Sequence, residues 1–201
     1  FIVSIGALVT LMVGVMKSLQ GNLLAPAGAA LLTLLAALYS VTHIWGEPSM
    51  VLFNNMLAAD FFTNLFNGLF IVATILVLIG SYSYLEREGM HHAEYYSLLL
   101  FACLGMMLFA SALDLIVLFV ALEIMSIAIY VLVGFRRTDT KSNEAALKYF
   151  ILGSAASAVL LYGVALVYGA TGSMNIQVIG EYLKTHTEPN SLLSVGAVLV
   201  I

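Results

Sequence analysis

The chain has 201 residues, 62% of them hydrophobic and 9% charged, with a formal net charge of −4. Water-soluble domains carry roughly 25% charged residues and need polar surface over an apolar core, so this composition excludes an ordinary soluble domain and points to a protein embedded in a bilayer. The single cysteine, Cys103, excludes an internal disulfide and leaves this chain without the thiols for a cysteine zinc site or an iron–sulfur cluster.

A helix needs about 20 apolar residues to cross a membrane. Apolar runs at 1–16, 23–45, 60–84, 95–113, 115–135, 145–169 and from 192 onward predict about six spans and the start of a seventh. The expected fold is an all-α integral membrane protein, a polytopic helical bundle forming a single transmembrane domain over 1–201. Both Phe1 and Ile201 lie inside apolar runs, so the domain reads as truncated at both ends. A secretory signal peptide is not expected, because the start has no basic region and no small-residue cleavage site.

The breaks carry the usual punctuation. "KSLQGN" follows the first run and "GEPSM" the second. "EREGMHHAE" follows the third; its neighbours His91 and His92 read as part of a solvated loop rather than a metal site. Asp114 alone separates the fourth run from the fifth, which predicts a tight turn. "RRTDTKSNE" follows the fifth and "TGSMNIQVIGEYLKTHTEPN" the sixth. Within this last loop, over 174–188, Ile176, Ile179, Tyr182 and Leu183 recur at helical spacing and predict a short helix on the membrane surface.

Loops after spans one, three and five hold Lys17, Arg87, Arg136, Arg137 and Lys141, whereas loops after two, four and six hold only Lys184. Positive residues favour the cytoplasmic side, so the first set is expected there. A multi-pass protein of a bacterial plasma membrane is the simplest setting.

One carboxylate stands out. Glu123 lies about 3 Å from the middle of span five at 1.5 Å per residue, where a charge costs roughly 2.5–3.5 kcal/mol on insertion scales. Ser126, Tyr130 and Gly134, at i+3, i+7 and i+11, share its face within about 60°. The functional reading is a proton-binding carboxylate with hydroxyls or water leading to it. The structural reading is a carboxyl that fixes helix packing. Lys148 lies about one turn inside span six, with Glu144 at i−4. It reads either as part of a proton path or as a helical ion pair and interface anchor. Glu123 is about 18 Å along its helix from the Arg136 end and Lys148 only about 6 Å from the start of its own, so no direct bond between them is expected. The partner of Glu123 is expected on another helix.

Asp60 and Asp114 read as helix N-caps. Asn64 and Asn67 read as interhelical hydrogen-bonding groups. "GSAAS" (Gly153–Ser157) and Gly163 read as surfaces for close helix packing. Nothing resembles a phosphate loop, a nucleophile triad or a dinucleotide fingerprint. The expectation is therefore no redox or cofactor site in this chain, no metal and no nucleic-acid partner.

"LEIMSIAIYVLVGFRR" (122–137) followed by "SNEAALKYFILGSAASAVLLYGVALVYGATGSMN" (142–175) closely resembles subunit N, the antiporter-like subunit of NADH:quinone oxidoreductase (respiratory complex I). The resemblance covers most of the chain and is sharpest over 114–175. It implies the N-terminal part of a fold of about fourteen helices built from inverted repeats with broken helices. It implies proton translocation coupled to quinone reduction elsewhere, with flavin, iron–sulfur clusters and quinone in partner subunits. Expected partners are other membrane subunits of complex I and the lipid bilayer. Glu123 and Lys148 match the family's fifth-span glutamate and sixth-span lysine, with Ser126, Tyr130 and Glu144 as supporting polar groups. The principal lysine partner of that glutamate is expected on span seven, past Ile201. Two other classes of function compete: a subunit of a multisubunit cation/proton antiporter, and a membrane scaffold without transport of its own.

Overall fold

In the computed structural model each long apolar run winds into a helix, the conformation that satisfies its backbone N–H and C=O groups within one segment and so tolerates lipid. Residues 1–16, 24–90, 92–186 and 190–200 are described. They form α1 (Ile2–Val15), α2 (Leu24–His43), α3 (Phe61–Arg87), α4 (Glu94–Ser111), α5 (Leu115–Val133), α6 (Thr140–Thr171), α7 (Ile176–Thr185) and α8 (Ser191–Val200). The chain is thus the expected helical membrane bundle. Helices α2 to α6 are long and apolar enough to cross a membrane; α1 and α8 are shorter apolar helices. The expected loop around Lys17, His91 and residues 187–189 lie outside the described residues.

Packing follows the chain. α2 packs on α1 and α3, α4 lies against α1, α3 and α5, and α6 packs on α5 and α8. The main core is buried among the first four helices, with Ala7, Ala30, Leu34, Ile71, Leu100 and Cys103 fully shielded. A smaller core forms around Leu115, Val164 and Val167. Close helix approach depends on small residues. A Cβ added at Gly163 would stand 2.8 Å from Leu199 Cβ and 3.0 Å from Gly196 O, so this glycine lets α6 and α8 touch, as its sequence context suggested.

Helix ends are capped by the acidic residues expected there. Asp60 accepts a bond from Thr63 N at 2.8 Å and Asp114 from Ile116 N at 2.9 Å. Asp139 does the same for Lys141 N at 2.9 Å. That cap starts α6 at Thr140, five residues before the apolar run, so its first polar turn is helical rather than loop. Gly172 ends the helix with φ +71°, a left-handed cap that glycine adopts without steric cost.

The sequence reading placed only a loop between spans two and three. The structure has a β-hairpin there, β1 (Met50–Leu52) and β2 (Leu57–Ala59), paired from Met50↔Ala59 to Leu52↔Leu57. Its turn takes Phe53, Asn54 and Asn55 through positive φ (51°, 55°, 66°), a region asparagine tolerates better than most residues. Three-residue strands carry too little alternation to be read from sequence.

The hairpin is stitched to two other segments. Leu113 N–H donates to Met56 O at 2.8 Å, and Leu57 bridges Ala112. On the far side of the α4–α5 turn, Leu115 N–H donates to Met174 O (3.0 Å) and Ile176 N–H to Leu113 O (2.9 Å). Asn175 Nδ2 closes the clasp on Asn55 O at 2.7 Å. At the opposite end of the bundle, Arg136 pairs with Glu88 at 2.9 Å and joins the turns after α3 and α5.

Candidate functional site

The site is built on the seam between α5 and α6. These helices run antiparallel, and their contacts fix the register. Gly134 lies opposite Ala146, whose Cβ would be 2.8 Å from an added Cβ. One turn on, the Tyr130 ring meets Tyr149 edge-on (4.9 Å, 87°) and Phe150 likewise (5.8 Å, 85°). The phenol reaches Gly153, where an added Cβ would overlap Tyr130 Oη at 1.8 Å. The same register brings Glu123 to Ser157, whose hydroxyl donates to Glu123 Oε1.

Glu123, Tyr130 and Gly134 therefore all face α6, as one stripe should. Ser126 is buried at 9% exposure. The other flank of α5 rests on α4, where Gly105 lies against the backbone at Ala121 and Met125. Glu123 itself is half-buried.

Ser157 is the contact that the sequence reading missed. It belongs to the small-residue run assigned to packing, and it is buried at 9% exposure. A depth count could have found it. Two antiparallel spans place residues of equal depth side by side, and Ser157 is as far from the start of the apolar run 145–169 as Glu123 is from the end of the run 115–135.

Lys148 does not reach this point. Its Nζ lies 2.5 Å from Glu144 Oε1, and the two side chains are 70% and 59% exposed within this chain. Nine residues separate it from Ser157, about 13–14 Å along the helix. Glu144 thus partners Lys148 and not Glu123. Elsewhere on the helices around Glu123 the charged side chains sit at helix ends: Glu94 in the first turn of α4, and Lys141, Glu144 and Lys148 in the first turns of α6. α8 carries none.

A cavity of about 530 Å³ opens beside the pair, bordered by α5, α6 and α8 and lined by Leu122, Leu160, Val198, Leu199 and Ser157 among others. Ser157 presents the one hydroxyl in that lining, and Glu123 is not part of it. A second cavity of about 600 Å³ lies near the hairpin and is lined in part by Asn64 and Asn67. Asn67 Oδ1 is buried there without a hydrogen-bond partner, so on this side the interhelical bond expected of Asn67 is not made. Among the described residues no three His, Cys, Asp or Glu side chains cluster as metal ligands would.

Chemically, the seam offers one carboxylate at mid-depth, a hydroxyl bonded to it and an aromatic stack toward the Arg136 end. A carboxyl in that position can hold or release one proton.

Comparison with known proteins agrees with this picture. Residues 112–201 match the family described as NADH:quinone oxidoreductase/Mrp antiporter, TM. The chain is 44% identical over 172 residues to NADH-quinone oxidoreductase subunit N 1 of Chloroherpeton thalassium, covering 86% of this chain and 36% of that protein. It is 44% identical over 181 residues to subunit N 2 of Rhizobium meliloti, covering 90% and 37%. Among solved structures it matches a chain of respiratory complex I from Thermus thermophilus with a TM-score of 0.76 and 30% identity, over 99% of this chain and 41% of that one. A chain of the membrane-bound sulfane sulfur reductase, an archaeal respiratory membrane complex, matches with a TM-score of 0.77 and 25% identity, over 99% and 42%. The resemblance to subunit N is borne out, and the chain spans little more than a third of the length of these curated relatives.

Proposed function

We propose, from this likeness to subunit N of the NADH-quinone oxidoreductases, that the chain is part of a proton-translocating membrane subunit. The redox chemistry, with its flavin, iron–sulfur clusters and quinone, belongs to partner subunits, and this chain moves protons in response. The observation that carries the reading is Glu123, a carboxylate at the middle of an apolar helix, hydrogen-bonded across to α6. Intramembrane carboxylates are costly and mark proton or ion paths.

In this reading Glu123 is the proton-binding group. An opposite charge within about 4–6 Å favours the ionised carboxylate, so approach of a cationic lysine expels its proton and withdrawal lets one return. Lys148, held by Glu144 near the Arg136 end, serves the entry side. Ser126 and Tyr130 line the polar face that leads toward it. The Arg136 end, with Arg87, Arg137 and Lys141, faces the cytoplasm, and the hairpin end faces outward. α7 lies on the outer surface through Ile176, Ile179, Tyr182 and Leu183. The partners are other membrane subunits of the complex and the lipid of a bacterial plasma membrane.

The test is Glu123→Gln in the assembled complex, reconstituted in vesicles. Proton pumping is expected to fall sharply with assembly intact, and Glu123→Asp to be tolerated better. Normal pumping by the Gln variant, in a normally assembled complex, sinks the idea. Loss of assembly instead would favour the scaffold reading, which the Ser157–Glu123 bond supports because it ties two helices together. Absence of quinone reduction in the purified assembly would favour an antiporter.

A further inference from the structure

We propose that Ser157 is a positioning residue for Glu123, a hydroxyl that fixes where the carboxylate points in both its protonated and its ionised state. The inference rests on the reading of Glu123 as the proton-binding group. Four observations support it.

Ser157 Oγ bonds Glu123 Oε1 directly, side chain to side chain, across two helices and 34 residues apart in sequence. Ser157 is buried, so water does not compete freely for the contact. No charged side chain on α4, α6 or α8 stands at this depth among the described residues, which leaves the serine as the polar group that holds the carboxylate. Finally, the cavity bordered by α8 meets Ser157 and not Glu123, so a group entering that cavity senses the carboxylate through this hydroxyl.

A hydroxyl suits the task because it has one proton and two lone pairs and rotates freely. Facing a carboxylate, it donates. Facing the protonated acid, it turns and accepts a hydrogen bond from the acid O–H. The carboxyl therefore keeps one orientation while its charge changes, and neither helix moves. A methyl could serve neither state, and an amide could serve both only by turning its larger donor and acceptor ends over. The neighbouring Gly153 assists by leaving room for Tyr130, which lets α5 lie close enough for the short serine side chain to reach.

The test uses the full assembled complex in vesicles. Infrared difference spectra record the C=O stretching band of protonated Glu123, identified as the band that Glu123→Gln removes. Ser157→Ala is expected to assemble, to shift that band to higher frequency by removing a hydrogen bond, and to lower pumping at least about tenfold, the low end of what one bond to a charged group is worth. Ser157→Thr, which keeps the hydroxyl, is expected to restore both. An unshifted band with normal pumping in Ser157→Ala overturns the proposal. If the alanine variant fails to assemble, Ser157→Cys, a weak donor of similar size, is expected to give a smaller shift in the same direction; an unshifted band there overturns it equally. Normal pumping by Glu123→Gln would instead remove the underlying functional reading. Full loss in Glu123→Gln beside an unaffected Ser157→Ala would remove the serine's role alone.

Discussion

Gly105→Ala is expected to destabilise the bundle although it replaces a poor helix former with the best one. A Cβ built on Gly105 would stand 2.6 Å from Met125 N, 2.7 Å from Met125 Cβ and 2.8 Å from Ala121 O. Two of these are backbone atoms and cannot rotate aside. Ordinary contact begins near 3.4 Å, so the gap from 2.6 Å requires α4 and α5 to part by about 0.8 Å. Overpacking of that kind costs about 1–3 kcal/mol. The gain in helix propensity is at most about 1 kcal/mol. With a contact as short as 2.6 Å to backbone the strain is expected to win, by up to about 2 kcal/mol, a factor of up to roughly 30 in population. Ala121 and Met125 flank Glu123 by two residues on either side, so the displacement also presses the carboxylate toward α6. Gly28→Ala is the control, because an added Cβ there meets nothing within 4 Å in this chain. The assay is the half-life of the solubilised complex at raised temperature, read from its residual quinone-reductase activity. A shorter half-life for Gly105→Ala and an unchanged or longer one for Gly28→Ala are expected. An unchanged Gly105→Ala, or the reverse order, would refute the packing argument.

Two further substitutions bear on the ends of the helices. Asp114→Ala removes the side-chain cap on Ile116 N and is expected to cost about 1 kcal/mol, with Asp114→Asn retaining most of it; the same thermal half-life reads both, and equal loss in the two variants would count against a capping role. Lys148→Arg keeps a cation beside Glu144, and an exposed pair of this kind contributes under about 1 kcal/mol, so assembly is expected to be normal. Because arginine does not give up its proton in proteins, pumping is expected to fall several-fold if protons pass through Lys148. Normal pumping by the Arg variant would make the residue an interface anchor.

The long helices were legible because hydrophobic run length is a local signal, and the bilayer demands it of every crossing. Their ends were legible where an acidic residue stood ready to cap, as at Asp60 and Asp114. The start of α6 was not, because its first turn is polar and only Asp139 announces it. The hairpin at Met50–Ala59 was illegible for another reason. Its partners are Leu113 and Asn175, far along the chain, and nothing in the local pattern encodes that pairing. Glu123 was conspicuous because charge is rare in an apolar run. Ser157 was hidden because serine is unremarkable among small residues, and its meaning depends on what the neighbouring helix places opposite.

The clasp joining the hairpin, the α4–α5 turn and residues 174–176 has a mechanical consequence. Its backbone bonds fix the Asp114 end of α5 to the far end of α6. At mid-depth, by contrast, the two helices meet through side chains alone. α5 is then a lever pivoted at Asp114, with Glu123 about 13–14 Å along its arm. A tilt of about 5° about that pivot moves Glu123 by roughly 1 Å, more than the whole width of hydrogen-bond tolerance, about 0.5 Å. A fulcrum at one end thus makes the bond at Ser157 a sensitive gauge of how α5 sits against α6.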